Sequence, residues 1–84
     1  MTHDDDLLAI VRSAVAEVAD GHPVTDDTPL IAERVVDSLS LLSLVARLEQ
    51  RLPVRIGDSD VLPGNFASIR AIHRFLRDKI SHAV

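Results

Sequence analysis

No cysteine occurs in the 84 residues, which excludes a disulfide framework and thiolate chemistry and suits a cytoplasmic protein. Tryptophan and tyrosine are absent as well, and Phe66 and Phe75 are the only aromatic residues. The core must therefore be aliphatic, and there is no set of aromatic platforms on which nucleic-acid bases could stack. Glycine occurs three times and forms no phosphate-cradling loop. His3, His22, His73 and His82 show no metal-ligand spacing, so each reads as a surface histidine and no metal site is expected. No apolar run approaches the ~18 residues of a membrane span. Asp4-Asp5-Asp6 stand where a signal peptide would carry positive charge. The expectation is a soluble, cytoplasmic, monomeric protein without membrane or nucleic-acid partners.

Size and charge narrow the reading further. A chain of 84 residues makes one domain, taken as residues 1–84, and a domain this small buries only roughly 60% of its unfolded surface. That leaves little material for the walled cavity that multi-step chemistry needs. The net charge of −4 is unevenly spread: residues 1–37 hold nine acids and two bases, residues 38–84 four acids and seven bases. An acidic first half is the wrong sign for a nucleic-acid face.

Apolar periodicity predicts an all-α chain. Leu7, Leu8, Ile10, Val11, Ala14, Val15 and Val18 recur at helical spacing, predicting a first helix over about 5–19 that Asp20-Gly21 and Pro23 stop. Residues 20–37 form a long connection, and a loop of this length in a small domain is functional or packs on its own side chains. Its apolar Leu30, Ile31, Val35 and Val36 argue that it is pinned to the core, with a short turn around residues 31–34. A second helix follows over about 38–52. Pro53-Val54-Arg55-Ile56-Gly57 is too short and isolated for a sheet. Residues 58–62 suit one helical turn, halted by Pro63-Gly64. Ser68 reads as the N-cap of a last helix over about 69–80, whose Arg70, Arg74 and Arg77 form an outer, solvated stripe. The expected fold is a small four-helix bundle, three helices long and one short, with a long loop between helices one and two.

The second helix carries the feature that bears on function. Asp37-Ser38-Leu39 places a serine hydroxyl at the first turn of a helix, exposed and beside a carboxylate, with no base, thiol or metal ligand near it in sequence. At about 100° per residue, Leu41, Leu44, Val45, Leu48 and Leu52 form the core stripe. Leu39, Leu42 and Ala46 form a second stripe that continues from Ser38. Either the loop and the other helices bury that second stripe, or it is exposed as a docking patch beside Ser38. Ser38 lacks the strand-turn-helix setting of a hydrolase nucleophile, and no spacing supports a triad with His22 or His73. The serine reads as an attachment point on a protein that is not an enzyme.

Together these residues resemble the acyl carrier protein and peptidyl carrier protein family. Beside Asp37-Ser38-Leu39, the resemblance draws on Asp26-Asp27-x-x-Leu30, Leu48-Glu49, Pro53-Val54-x-Ile56, Asp58-x-Asp60 and Pro63-x-Asn65-Phe66-x-Ser68-Ile69, and it spans residues 7–80. It is closest to free-standing carriers of natural-product and acyl- or aminoacyl-activating pathways. The resemblance implies that a phosphopantetheinyl transferase, using coenzyme A and Mg²⁺, attaches 4′-phosphopantetheine to Ser38. The arm's thiol then holds an acyl or aminoacyl cargo as a thioester. It further implies a loading ligase and downstream transferase or synthase enzymes as partners. Asp37 is expected to cap the helix or to engage the transferase and its metal, and Leu39, Leu42 and Ala46, from their place on the wheel beside Ser38, are expected to guide the partner enzymes.

Two departures qualify the match. Val35-Val36 stand where many carriers have a glycine shortly before the serine motif. Ser40, Ser43, Arg47 and Arg51 replace the acidic second helix that fatty-acid synthesis carriers show. These point to a dedicated partner in secondary metabolism with a more apolar contact surface, and with acids facing the two arginines. A rival from another class is a non-covalent helical adaptor or regulatory domain that binds through Leu39 and Leu42, with Ser38 as an ordinary N-cap.

Overall fold

The i, i+3, i+4 recurrence of Leu7, Val11, Ala14 and Val15 gives a helix with one apolar face, α1 (Asp4–Ala19), and that face is buried. In the computed structural model, which describes residues 4–81, two further α-helices follow: α2 (Ser38–Arg51) and α3 (Ile69–Ser81). His3 and His82 lie outside the described residues. No strand is present among the described residues.

Helix α1 is the hub. It packs against both α2 and α3, whereas the Cα atoms of α2 and α3 stay more than 8 Å apart among the described residues. The core is completed by the connections, which contribute Leu30, Val36, Ile56 and Phe66 to one continuous cluster with Val11, Val15, Leu44, Leu48, Ile72 and Leu76. Phe66 and Phe75 meet with their rings tilted by 53° at a centroid separation of 5.6 Å.

Each helix end has a local cause. Asp20 and Gly21 both take positive φ, at 52° and 89°, and unwind α1 in the left-handed region. Leu52 ends α2 in an extended conformation while its N–H still donates to the Leu48 carbonyl at 3.0 Å. Ser68 Oγ accepts the Ala71 N–H at 3.1 Å and so caps α3.

The short fourth helix expected over residues 58–62 is a 3₁₀ turn of three residues, Asp58–Asp60, none of them buried. The described bundle therefore has three helices. The turn is held by Asp60, whose Oδ2 accepts the Gly57 N–H at 3.1 Å and pairs with Lys79 Nζ on α3 at 2.7 Å.

Charges lace the helices to the loop. Residues 20–37 contain turns but no helix or strand. The loop crosses α1 and α3 through Asp26, whose side chain pairs with Arg12 at 2.7 Å and whose carbonyl accepts the Arg70 N–H at 2.9 Å. Asp27 takes the Arg70 guanidinium at 2.6 Å. Arg70 stays on the exposed outer stripe with Arg74 and Arg77 and is also tied to the loop. Arg47 and Arg51 find a partner within the chain as well. Glu17 on α1 accepts from both at 2.7 Å, so the acid facing these arginines comes from the chain itself. Sequence periodicity gives the face of each residue on its own helix, but not which helix lies opposite.

These pairs predict acid lability. The Arg51 guanidinium holds the Glu17 carboxyl below its ordinary range, and Arg12, Arg70 and Lys79 do the same for Asp26, Asp27 and Asp60. A carboxyl whose pKa is lower folded than unfolded stabilises the fold above its unfolded pKa, and loses that contribution as pH falls through the folded value. Melting temperature is expected to be level above about pH 5 and to decline below about pH 4. Melting curves from neutral pH into this range check it, and an unchanged Tm at about pH 3 would contradict it.

Candidate functional site

The loop delivers α2 to the surface at a defined point. The Leu30 N–H donates to the Ala67 carbonyl at 2.8 Å and the Val36 N–H to the Leu30 carbonyl at 3.0 Å, while both side chains are buried. Asp37 follows in an extended conformation and caps α2, its Oδ1 accepting the Ser40 N–H at 2.8 Å. That bond satisfies one of the amide donors that a helix start leaves without a partner. It also holds the Asp37 carboxyl below its ordinary range, so the group is charged at neutral pH.

The cap position thus belongs to Asp37, and Ser38 is the first residue inside the helix. This corrects the reading of Ser38 as an N-cap. Asp37 takes the role because its side chain reaches the Ser40 amide, which leaves the Ser38 hydroxyl exposed and without a hydrogen bond among the described residues.

Ser38 opens on a hollow of about 390 Å³ between the end of the loop, the start of α2 and the segment after the 3₁₀ turn. Ile31, Val36, Leu41, Val61 and Pro63 supply apolar walls, and Arg34, Asp37 and Ser38 are its polar members. Neither His22 nor His73 lines it, so no Ser-His-Asp arrangement forms there. His22 instead donates through Nδ1 to the Ala19 carbonyl at 2.8 Å, and His73 is half-buried on α3. Among the described residues no group of three side chains is disposed to hold a metal ion. A hollow of about 440 Å³ lined by Asp60, Phe75 and Lys79 lies elsewhere and shares no residue with that of Ser38.

The second stripe of α2 is exposed. Leu39 is 78% and Leu42 65% accessible, and Ala46 is open as well, while Leu44, Val45 and Leu48 are buried. The other exposed large apolar residues among those described are Ile31 and Leu62. Ile31 lines the hollow, and Leu62 sits between its lining residues Val61 and Pro63. All four are thus in segments that border Ser38.

Ser38, Asp37, Leu39, Leu42 and Ala46, singled out in the sequence, therefore occupy one end and one face of α2. Ile31, Arg34, Val61 and Pro63 were missed as site residues. The three apolar ones lie outside any periodic element, so no pattern marks them. Arg34 had one signal: it is the sole base between Arg12 and Arg47.

No helix is long and apolar enough to cross a membrane among the described residues. A family described as phosphopantetheine attachment site matches residues 5–76 of the chain. No curated protein and no solved structure matches it.

Proposed function

The chain belongs to the phosphopantetheine attachment site family, carriers and not enzymes, which bear covalently attached 4′-phosphopantetheine; on that premise we propose that Ser38 holds the arm. The observation that carries this assignment is a hydroxyl exposed at the first turn of α2 with no structural task, because Asp37 has taken the cap. The rival adaptor reading takes Ser38 as an ordinary cap, a role that Asp37 fills instead.

The remaining serines are less suited. Ser13 Oγ approaches Glu17, Ser68 Oγ caps α3, and Ser40 is half-buried with its amide engaged by Asp37. Ser43, Ser59 and Ser81 are exposed but do not line the hollow.

Carriers of this family are served by phosphopantetheinyl transferases and acyl-processing enzymes. In the transfer, Ser38 Oγ attacks the pantetheine-bearing phosphorus of coenzyme A. The new Ser–O–P bond replaces the phosphoanhydride bond, adenosine 3′,5′-bisphosphate departs, and the serine proton leaves to a base of the transferase. The N-terminus of α2 favours the resulting phosphodiester by about 0.3–1 kcal/mol on an exposed surface. Once attached, the arm supplies a mobile thiol that carries the cargo as a thioester, which a cysteine-free chain cannot do by itself.

The finer reading is a free-standing acyl or aminoacyl carrier acting in the cytoplasm in natural-product biosynthesis, loaded by a dedicated ligase. The α2 surface supports it: Arg47 and Arg51 are both engaged by Glu17, and apolar Leu39, Leu42 and Ala46 stand exposed beside Ser38. Incubation with coenzyme A, Mg²⁺ and a broad-specificity transferase is expected to add one phosphopantetheine, which peptide mapping locates on Ser38. An adduct on any other serine would refute the assignment.

A further inference from the structure

We propose that Arg34 is an anion clamp for the phosphodiester of the Ser38-linked arm, holding the base of the arm at the rim of the hollow. This rests on Ser38 bearing the arm.

The backbone of Arg34 has φ of +57°. That conformation crowds a Cβ against the backbone, and glycine or asparagine adopts it more readily than arginine. The other non-glycine residue with positive φ is Asp20, where the end of α1 accounts for it. Arg34 closes the turn of residues 31–34 in the same way, its N–H donating to the Ile31 carbonyl at 3.1 Å, and this turn end fixes where its side chain leaves the loop.

Its charge is unpaired, as is that of Arg55, but Arg34 alone of the two lines the hollow. Arg12, Arg47, Arg51, Arg70 and Lys79 each meet a carboxylate at 2.6–2.7 Å. Arg34 makes no ion pair and no side-chain hydrogen bond among the described residues, although it shares the lining of the hollow with Asp37 and Ser38. It is the one cation in that lining.

Attachment of the arm creates the need for it. A phosphodiester on Ser38 Oγ places a negative charge next to the ionised Asp37 carboxylate, and like charges a few ångströms apart repel. A guanidinium at the same rim offsets both, and its planar fork of donors suits phosphate oxygens. A carboxylate on the cargo could draw the same cation. The cargo, however, sits at the far end of a flexible arm, whereas the phosphate is bonded directly to Ser38, so the phosphate is the partner assigned. The exposed setting makes the contact sensitive to salt.

The test compares apo and holo protein, conversion being driven to completion and verified by intact mass, for the unsubstituted chain, Arg34→Asn and Arg55→Gln. Arg55 is exposed but does not line the hollow. Nitrogen-edited NMR of arginine Nε–Hε groups and melting at low and high salt are the readouts. Arg34 Nε–Hε is expected to shift and to exchange more slowly in the holo form, and the effect should fade at high salt. Arg34→Asn, which relieves the backbone, is expected to melt at or above the unsubstituted apo protein. It should also lose the holo-minus-apo change in Tm that Arg55→Gln retains. An Arg34 signal unchanged by the arm, or the same holo-minus-apo change in Arg34→Asn, overturns the clamp. A response that appears only with a carboxylate-bearing cargo overturns it in favour of cargo recognition. A mass spectrum without the adduct on Ser38 overturns the attachment reading itself, and is recorded before Arg34 is read.

Discussion

Ser38→Ala is expected to abolish phosphopantetheine attachment completely while leaving the fold as it is. The substituted hydroxyl is exposed, lies one residue inside the cap of α2 and makes no hydrogen bond among the described residues. A surface change of that kind alters stability by about 0.5 kcal/mol or less. At about 4–8 °C per kcal/mol for a domain of this size, Tm moves by no more than a few degrees. Asp37→Ala gives the contrasting result, because it removes the acceptor for the Ser40 N–H and destabilises the start of α2. Intact mass and thermal melting of both variants separate attachment from capping. Loss of the helical signal in Ser38→Ala would mean that the serine is chiefly structural, and a normal mass increase would remove it as the attachment residue.

Leu48→Ala and Leu42→Glu should fail in opposite ways. Leu48 is fully buried in the cluster shared by all three helices. Emptying that site costs about 2–5 kcal/mol, enough to lower Tm by about 10 °C or more in a domain this small. Leu42 is 65% exposed one turn along α2 from Ser38. A charge there costs folding about 0.5 kcal/mol or less, but it places an unpaired carboxylate in any apolar contact made with a transferase or loading enzyme. The expected outcome is a near-normal melt with attachment or loading slowed severalfold for Leu42→Glu, and an early melt with near-normal rates below Tm for Leu48→Ala. Equal destabilisation of the two would place Leu42 in the core and remove the docking surface.

Much of the fold was legible because helices are local. The apolar stripes of α1 and α2, the breakers Gly21 and Pro23, and the cap at Ser68 act within a few residues of one another, so spacing alone located the elements to within a residue or two. The 3₁₀ turn was harder. Asp58-Ser59-Asp60 has turn chemistry, yet its anchor is Lys79, nineteen residues away on α3. The same distance problem hid the partners of Arg47, Arg51 and Arg70. Glu17 and Asp27 lie thirty or more residues from them in sequence and meet them only after the helices have packed.

For the candidate site the division follows the same physics. The sequence by itself determined that a serine stands at the start of an amphipathic helix, next to an acid, in a chain without a thiol of its own, and that Leu39, Leu42 and Ala46 share a face separate from the core stripe. Those are properties of order along the chain and of helical period. Three questions were left to the tertiary structure. One was which of Asp37 and Ser38 caps α2. Another was whether the second apolar stripe is buried. The third was what surrounds the hydroxyl. Each depends on where the loop comes to rest: Leu30 and Val36 sink into the core, and that descent leaves Leu39 and Leu42 uncovered. It also brings Ile31 and Arg34 to the same hollow as Val61 and Pro63. Burial is a collective property of the packed chain, and no periodic signal along residues 20–37 encodes it.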